Sequence, residues 1–148
     1  MTAVHVAVGV AVLALSLAAG LWGAWCWYRV VETRVFWPLL RSAQAAVMLE
    51  AVLGAVLLAM GRKGYGSLHI LYGVLPIAIS FVAEQLRIGA ADAVLVARGL
   101  ENAQAVGRLS EPDQHSVVLS IVRRELGVMA VAALVIFGLA LRAATTGG

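Results

Sequence analysis

Glu50 is the residue whose position most demands an explanation. Residues 45–49 before it are all apolar, and so are residues 51–60 after it apart from Gly54. A carboxylate in such surroundings must be paired, protonated or wetted. Two roles fit that requirement. One is a proton or ion relay or a substrate contact; the other is a hydrogen-bonding clasp between helices.

His5 and His69 form a second constellation. Each stands near the end of an apolar stretch, and Met60 closes another. Arg62, Lys63 and Arg142 belong at similar depth. Two histidines facing each other across a helical bundle can hold the iron of a b-type haem, with basic residues at the membrane edge meeting its propionates. Imidazole and thioether also suit copper. Tyr72, three residues beyond His69, joins this candidate set. The competing reading is an interfacial hydrogen bond at each helix end, since no two histidines share helical spacing within one segment.

At about 3.6 residues per turn, His69, Tyr72, Gly73, Pro76, Ser80, Glu84 and Arg87 fall on one side of a helix. Such a helix turns that stripe to protein or water and its remaining apolar face to lipid. Ser80, Glu84 and Glu50 are therefore the intramembrane polar candidates. Arg41, Arg87, Arg123 and Arg124 gather with Glu84 and Glu125 near one interface, where they suit interhelical ion pairs or lipid head groups. His115, close to Asp113, reads as a solvated surface residue.

The elements that position these residues follow from composition. The 148-residue chain is 62% hydrophobic and only 13% charged, about half the usual charged share. A soluble domain of this size could not bury so much apolar surface. Four windows are long enough to cross a bilayer: about 5–28, 36–60, 68–86 and 120–142. No Lys or Arg precedes the first window, and its length exceeds a signal-peptide core, so it reads as a retained span. The expected class is all-α: a polytopic membrane protein with four transmembrane helices in an antiparallel bundle.

Arg29, Arg34 and Arg41 follow the first span, and Arg87, Arg98, Arg108, Arg123 and Arg124 separate the third from the fourth. This excess places loops 1 and 3 in the cytoplasm and both termini outside a cell membrane. Apolar residues recur at helical spacing from Ile88 to Leu109, and Ser110-Glu111-Pro112-Asp113 reads as a helix start. Residues 88–119 are thus expected to form a cytoplasmic helical hairpin extending helices 3 and 4, about 30 Å long at about 1.5 Å per residue. A helix lying on the membrane surface is the alternative.

Small or polar residues at helical spacing supply seams for close packing. They are His5, Gly9, Val12, Ser16, Gly20 and Gly23 in the first span, and Ala43, Ala46, Glu50, Gly54 and Gly61 in the second. In the fourth they are Ser116, Ser120, Arg123, Gly127, Ala130 and Gly138. Trp22, Trp25, Trp27, Tyr28 and Trp37 read as an interfacial aromatic belt. The single cysteine, Cys26, excludes an internal disulfide and reads as a buried thiol. No dinucleotide, P-loop, zinc-protease, serine-hydrolase or Cys-x-x-Cys motif is present. The basic balance of +3 lacks any Lys/Arg run, which argues for lipid rather than nucleic acid as the partner.

Three functions compete on this reading. The first is a non-enzymatic accessory, assembly or scaffold subunit that meets a membrane-protein partner or a second copy through helix contacts. The second is a haem b- or metal-binding redox or sensor protein using His69 and His5. The third is a small oligomeric transporter or channel using Glu50 and Glu84.

Overall fold

The computed structural model describes residues 2–31, 33–61 and 66–146. Every regular element among them is helical: α1 Thr2–Arg29, α2 Phe36–Ala59, α3 Ser67–Ile88, α4 Ala90–Ala97, α5 Ala103–Val106 and α6 Glu111–Thr146. Four helical stretches are long and apolar enough to cross a membrane: α1, α2, α3 continued into α4, and α6. At about 1.5 Å per residue, the 36 residues of α6 extend about 54 Å, against a hydrocarbon core of about 30 Å. The apolar stretch from 126 to 141 lies within it, and the charged residues of its first turns precede that stretch.

The segment between the third and fourth spans departs from the expected hairpin. No single helix reaches Leu109. The backbone jogs at Gly89, α4 ends at Ala97, and Gly99 adopts a φ of +67°, which favours glycine. A single turn, α5, follows, capped by the Asn102 side chain accepting from the Ala105 amide at 3.0 Å. The returning arm is instead one unbroken helix. Ser110 Oγ accepts from the Asp113 amide and donates to its carboxylate at 2.6 Å, so α6 begins where the sequence places a cap. Arg98 ties the turn back to α6 by donating to Ser116 Oγ and Ser120 Oγ.

α1 packs along α6 and α2, α3 packs along α6, and α2 and α3 barely meet. The core has two parts. Ala19, Cys26, Phe36, Leu40, Ala83, Leu126, Met129 and Ala133 fill the end near the α1–α2 connection. Val12, Val47 and Ile136 form a smaller cluster further along.

Glycines set the spacing of α1 and α6. A Cβ on Gly20 would stand 2.5 Å from Leu134 Cδ2, and one on Gly23 would stand 2.9 Å from the Ala130 methyl. One on Gly127 would meet the Trp27 indole nitrogen at 2.9 Å. A side chain at any of these positions would force its neighbours to shift. Gly73 and Gly138, assigned to seams by spacing, have open space where a Cβ would go. Gly61, assigned to the α2 face, lies beyond the end of α2 with a φ of +73°.

Gly23→Ala is therefore expected to destabilise the protein by about 1–3 kcal/mol, the usual cost of overpacking. Gly138→Ala should leave stability unchanged or raise it by about 0.5–1 kcal/mol, because glycine disfavours helix interiors. Unfolding midpoints of the two variants in the same detergent would check this; equal midpoints would remove the assigned role of Gly23.

Candidate functional site

Because α2 and α3 do not close on each other, a cavity of about 470 Å³ remains where α1 begins, α2 ends, α3 begins and α6 ends. Val12, Val47 and Pro76 line its deep end, and Ala140 and Ala143 line it from α6. Pro76 lacks the amide that would bond the Tyr72 carbonyl one turn earlier, and Tyr72 also lines the cavity. The walls are mostly apolar, and His5, Glu50, His69 and Tyr72 supply polar side chains.

His5 is buried on α1, with its Nδ1 3.1 Å from Glu50 Oε1 on α2. Gly9, one turn along α1, makes room for this contact, since a Cβ there would stand 3.0 Å from the same carboxylate oxygen. Gly54, one turn beyond Glu50, faces His5 at ordinary contact distance. The second oxygen, Glu50 Oε2, is buried and has no hydrogen-bond partner among the described residues.

His69 reaches the end of α6. Its Nδ1 lies 2.8 Å from the Ala143 carbonyl, one of the last four carbonyls of α6, which have no partner within the helix ladder. The Thr146 hydroxyl donates to the same oxygen. A carbonyl accepts only, so His69 Nδ1 carries a proton, and in the neutral ring Nε2 then holds the lone pair. The two imidazoles meet edge to face, with centroids 6.1 Å apart and planes at 74°.

A second polar cluster joins α2 to α3 near the opposite end. Arg41 pairs with Glu84, Gln44 Nε2 donates to Glu84 Oε1 at 3.1 Å, and Arg87 Nε donates to Glu84 Oε2 at 2.9 Å. The Arg87 guanidinium also lies 5.5 Å from the Trp37 ring centre. Of the charged residues expected near this interface, Arg41, Glu84 and Arg87 come together here. The cluster holds α2 and α3 together at one end only.

A comparison with protein families, with curated proteins and with solved structures returns no match.

The structure thus brings together His5, Glu50, His69 and Tyr72 and leaves other candidates apart. Met60 is exposed and does not line the cavity. Arg142 is exposed and is not a lining residue. Arg62 and Lys63 lie outside the described residues. Ser80 and Glu84 do not line the cavity either. Arg123 and Arg124 are exposed and lie within 4 Å of no carboxylate among the described residues. His115 is exposed. Among the described residues, no three His, Cys, Asp or Glu side chains are grouped to hold a metal ion. The Ala143 carbonyl was not legible as a partner for His69, because no side-chain pattern marks it. Gly9 was legible only as a packing residue, although its spacing of four from His5 puts it beside the same partner.

Arg41 and Glu84 should show a coupling of about 1 kcal/mol or less in a double-mutant cycle, since Arg41 is half exposed. The coupling should shrink as salt rises. Unfolding measurements on Arg41→Ala, Glu84→Ala and the double variant would check it, and additive effects would mean that the pair does not bind α2 to α3.

Proposed function

We propose that the chain is a cell-membrane protein of four antiparallel spans that binds haem b between His5 and His69, as an electron carrier or redox sensor. The observation that carries this reading is the pair of imidazoles across the cavity. His69 Nδ1 is hydrogen-bonded to the Ala143 carbonyl, His5 Nδ1 lies 3.1 Å from the Glu50 carboxylate as an ion-pair contact, and the ring centres are 6.1 Å apart. An acceptor on the far nitrogen is the arrangement that orients a ligating histidine and makes it a better donor.

The small number of ligands favours haem over a bare ion. A protein-bound ion needs three or four side chains, and the described residues offer no such group. Haem brings four nitrogens of its own and asks the protein only for axial ligands. The cavity volume is in the range of small-molecule and cofactor sites, and Gly9, Gly54 and Gly73 line it without side chains. Glu50 then acts as a positioning residue for His5. Haem would supply one-electron chemistry, and His5 and His69 would hold its iron.

In this reading the excess of arginine puts the α1–α2 connection and the α4–α6 turn in the cytoplasm, with the cavity near the outer face. An accessory subunit is the second reading. It draws support from the apolar side chains Ile88 and Val96, both well exposed on α3 and α4, which offer a surface to a membrane-protein partner or a second copy. Transport through Glu50 and Glu84 has less support, because Val12, Val47 and Ile136 pack between the levels of the two carboxylates.

Detergent-purified protein from haem-replete cells should show a Soret band, with sharper visible bands after dithionite. His5→Ala and His69→Ala should each abolish the spectrum, and Glu50→Gln should weaken haem binding about 10–100-fold, as loss of a partner behind a ligand does. A colourless preparation that also takes up no added haemin would overturn the proposal. For the orientation, membrane-impermeant thiol reagent added outside should label Lys63→Cys and miss Arg108→Cys, both in a Cys26→Ala background. The reverse pattern would invert the topology.

A further inference from the structure

A second depression, of about 500 Å³, lies on the other side of α3, between α3 and α6. Its walls include Val82 and Leu86 of α3, and Val128, Val131 and Val135 of α6. Gly127 forms part of the wall, and the Trp27 ring lies across it. At one end stand Arg123 and Arg124, immediately before the apolar run of α6.

The charges at that end have no carboxylate counterpart among the described residues. Neither guanidinium lies within 4 Å of a carboxylate among the described residues. Glu84, the nearest acid in the α3 stripe, is already engaged by Arg41, Gln44 and Arg87. The Trp27 indole N–H makes no hydrogen bond among the described residues, whereas Trp22 donates to Thr33 at 3.2 Å. Two unpaired cations and an indole donor therefore ring the head of an apolar groove.

We infer that this groove is a site for an anionic phospholipid, one acyl chain lying between α3 and α6 and the phosphate held by Arg123 and Arg124. The charge complementarity selects the head group, and the groove selects the chain. Arginine suits the role because its planar fork gives paired hydrogen bonds to phosphate oxygens. The site is independent of the His5–His69 cavity, which lies near the other end of α3.

The test uses the full chain in a neutral detergent, titrated with phosphatidylglycerol or with phosphatidylcholine of the same acyl chains, with binding followed by native mass spectrometry. Phosphatidylglycerol is expected to bind about tenfold more tightly or better, as two basic residues near a head group imply. Arg123→Gln with Arg124→Gln should remove that preference without changing helix content. Val131→Trp, which fills the groove and keeps both arginines, should weaken both lipids. Equal affinity for the two lipids, or a preference that survives the double substitution, would overturn the inference. So would unchanged binding in Val131→Trp, or competition by inorganic phosphate at equal concentration, since either would mean that no acyl chain is held.

Discussion

Gly20 and Gly23 let α1 lie against α6 closer than any side chain at those positions would permit, and Gly127 does the same for Trp27 on α6. In a lipid environment apolar side chains gain little by leaving the solvent, so close van der Waals packing between backbones carries the association of helices. Once α1 is set against α6, the placement of the other helices is constrained. α2 packs on α1 and α3 packs on α6, and these two contacts use the faces that would otherwise bring α2 and α3 together.

The gap between α2 and α3 is closed at one end by charge and left open at the other. Arg41, Gln44 and Arg87 converge on Glu84, so each carboxylate oxygen has a donor. Among the described residues Glu50, further along α2, meets only His5, on one oxygen. The two acids therefore differ in kind. Glu84 is consumed by helix registration, and Glu50 remains oriented toward a cavity with an oxygen to spare. A buried acceptor without a partner is uncommon in a finished structure, and it is a reason to look for a ligand where it occurs.

The two depressions divide the molecule along the same logic. The one between α2 and α3 is inside the bundle, carries imidazoles and a carboxylate, and suits a cofactor. The one between α3 and α6 carries at its rim the guanidinium groups of Arg123 and Arg124, which pair with no carboxylate among the described residues, and it suits a lipid. α3 serves both. His69, Tyr72, Gly73 and Pro76, the first part of its polar stripe, line the first, and Val82 and Leu86 line the second. This double use explains why α3 is the helix least buried by its neighbours.

Four helices long and apolar enough to cross a membrane, their approximate limits and the cap at Ser110 were legible from the sequence, because each depends on interactions local to one segment: apolar length, hydrogen bonding within a helix, and a side chain reaching its own backbone. A cluster of charges at the level of Arg41 and Glu84 was legible for a related reason, since residues at one depth on neighbouring helices can be read from the sequence, but which of the clustered charges pair was not. The break at Gly99 was obscured by the apolar periodicity on either side, which continues through a turn as readily as through a helix. Only the tertiary structure decided that His5, Glu50 and His69 share one cavity and that Met60 does not. It also decided that the Ala143 carbonyl receives the His69 proton and that Gly138 touches nothing. Those outcomes depend on the rotation and separation of helices about one another. These are set by contacts among residues far apart in the chain, and a pattern read along one helix carries no record of them.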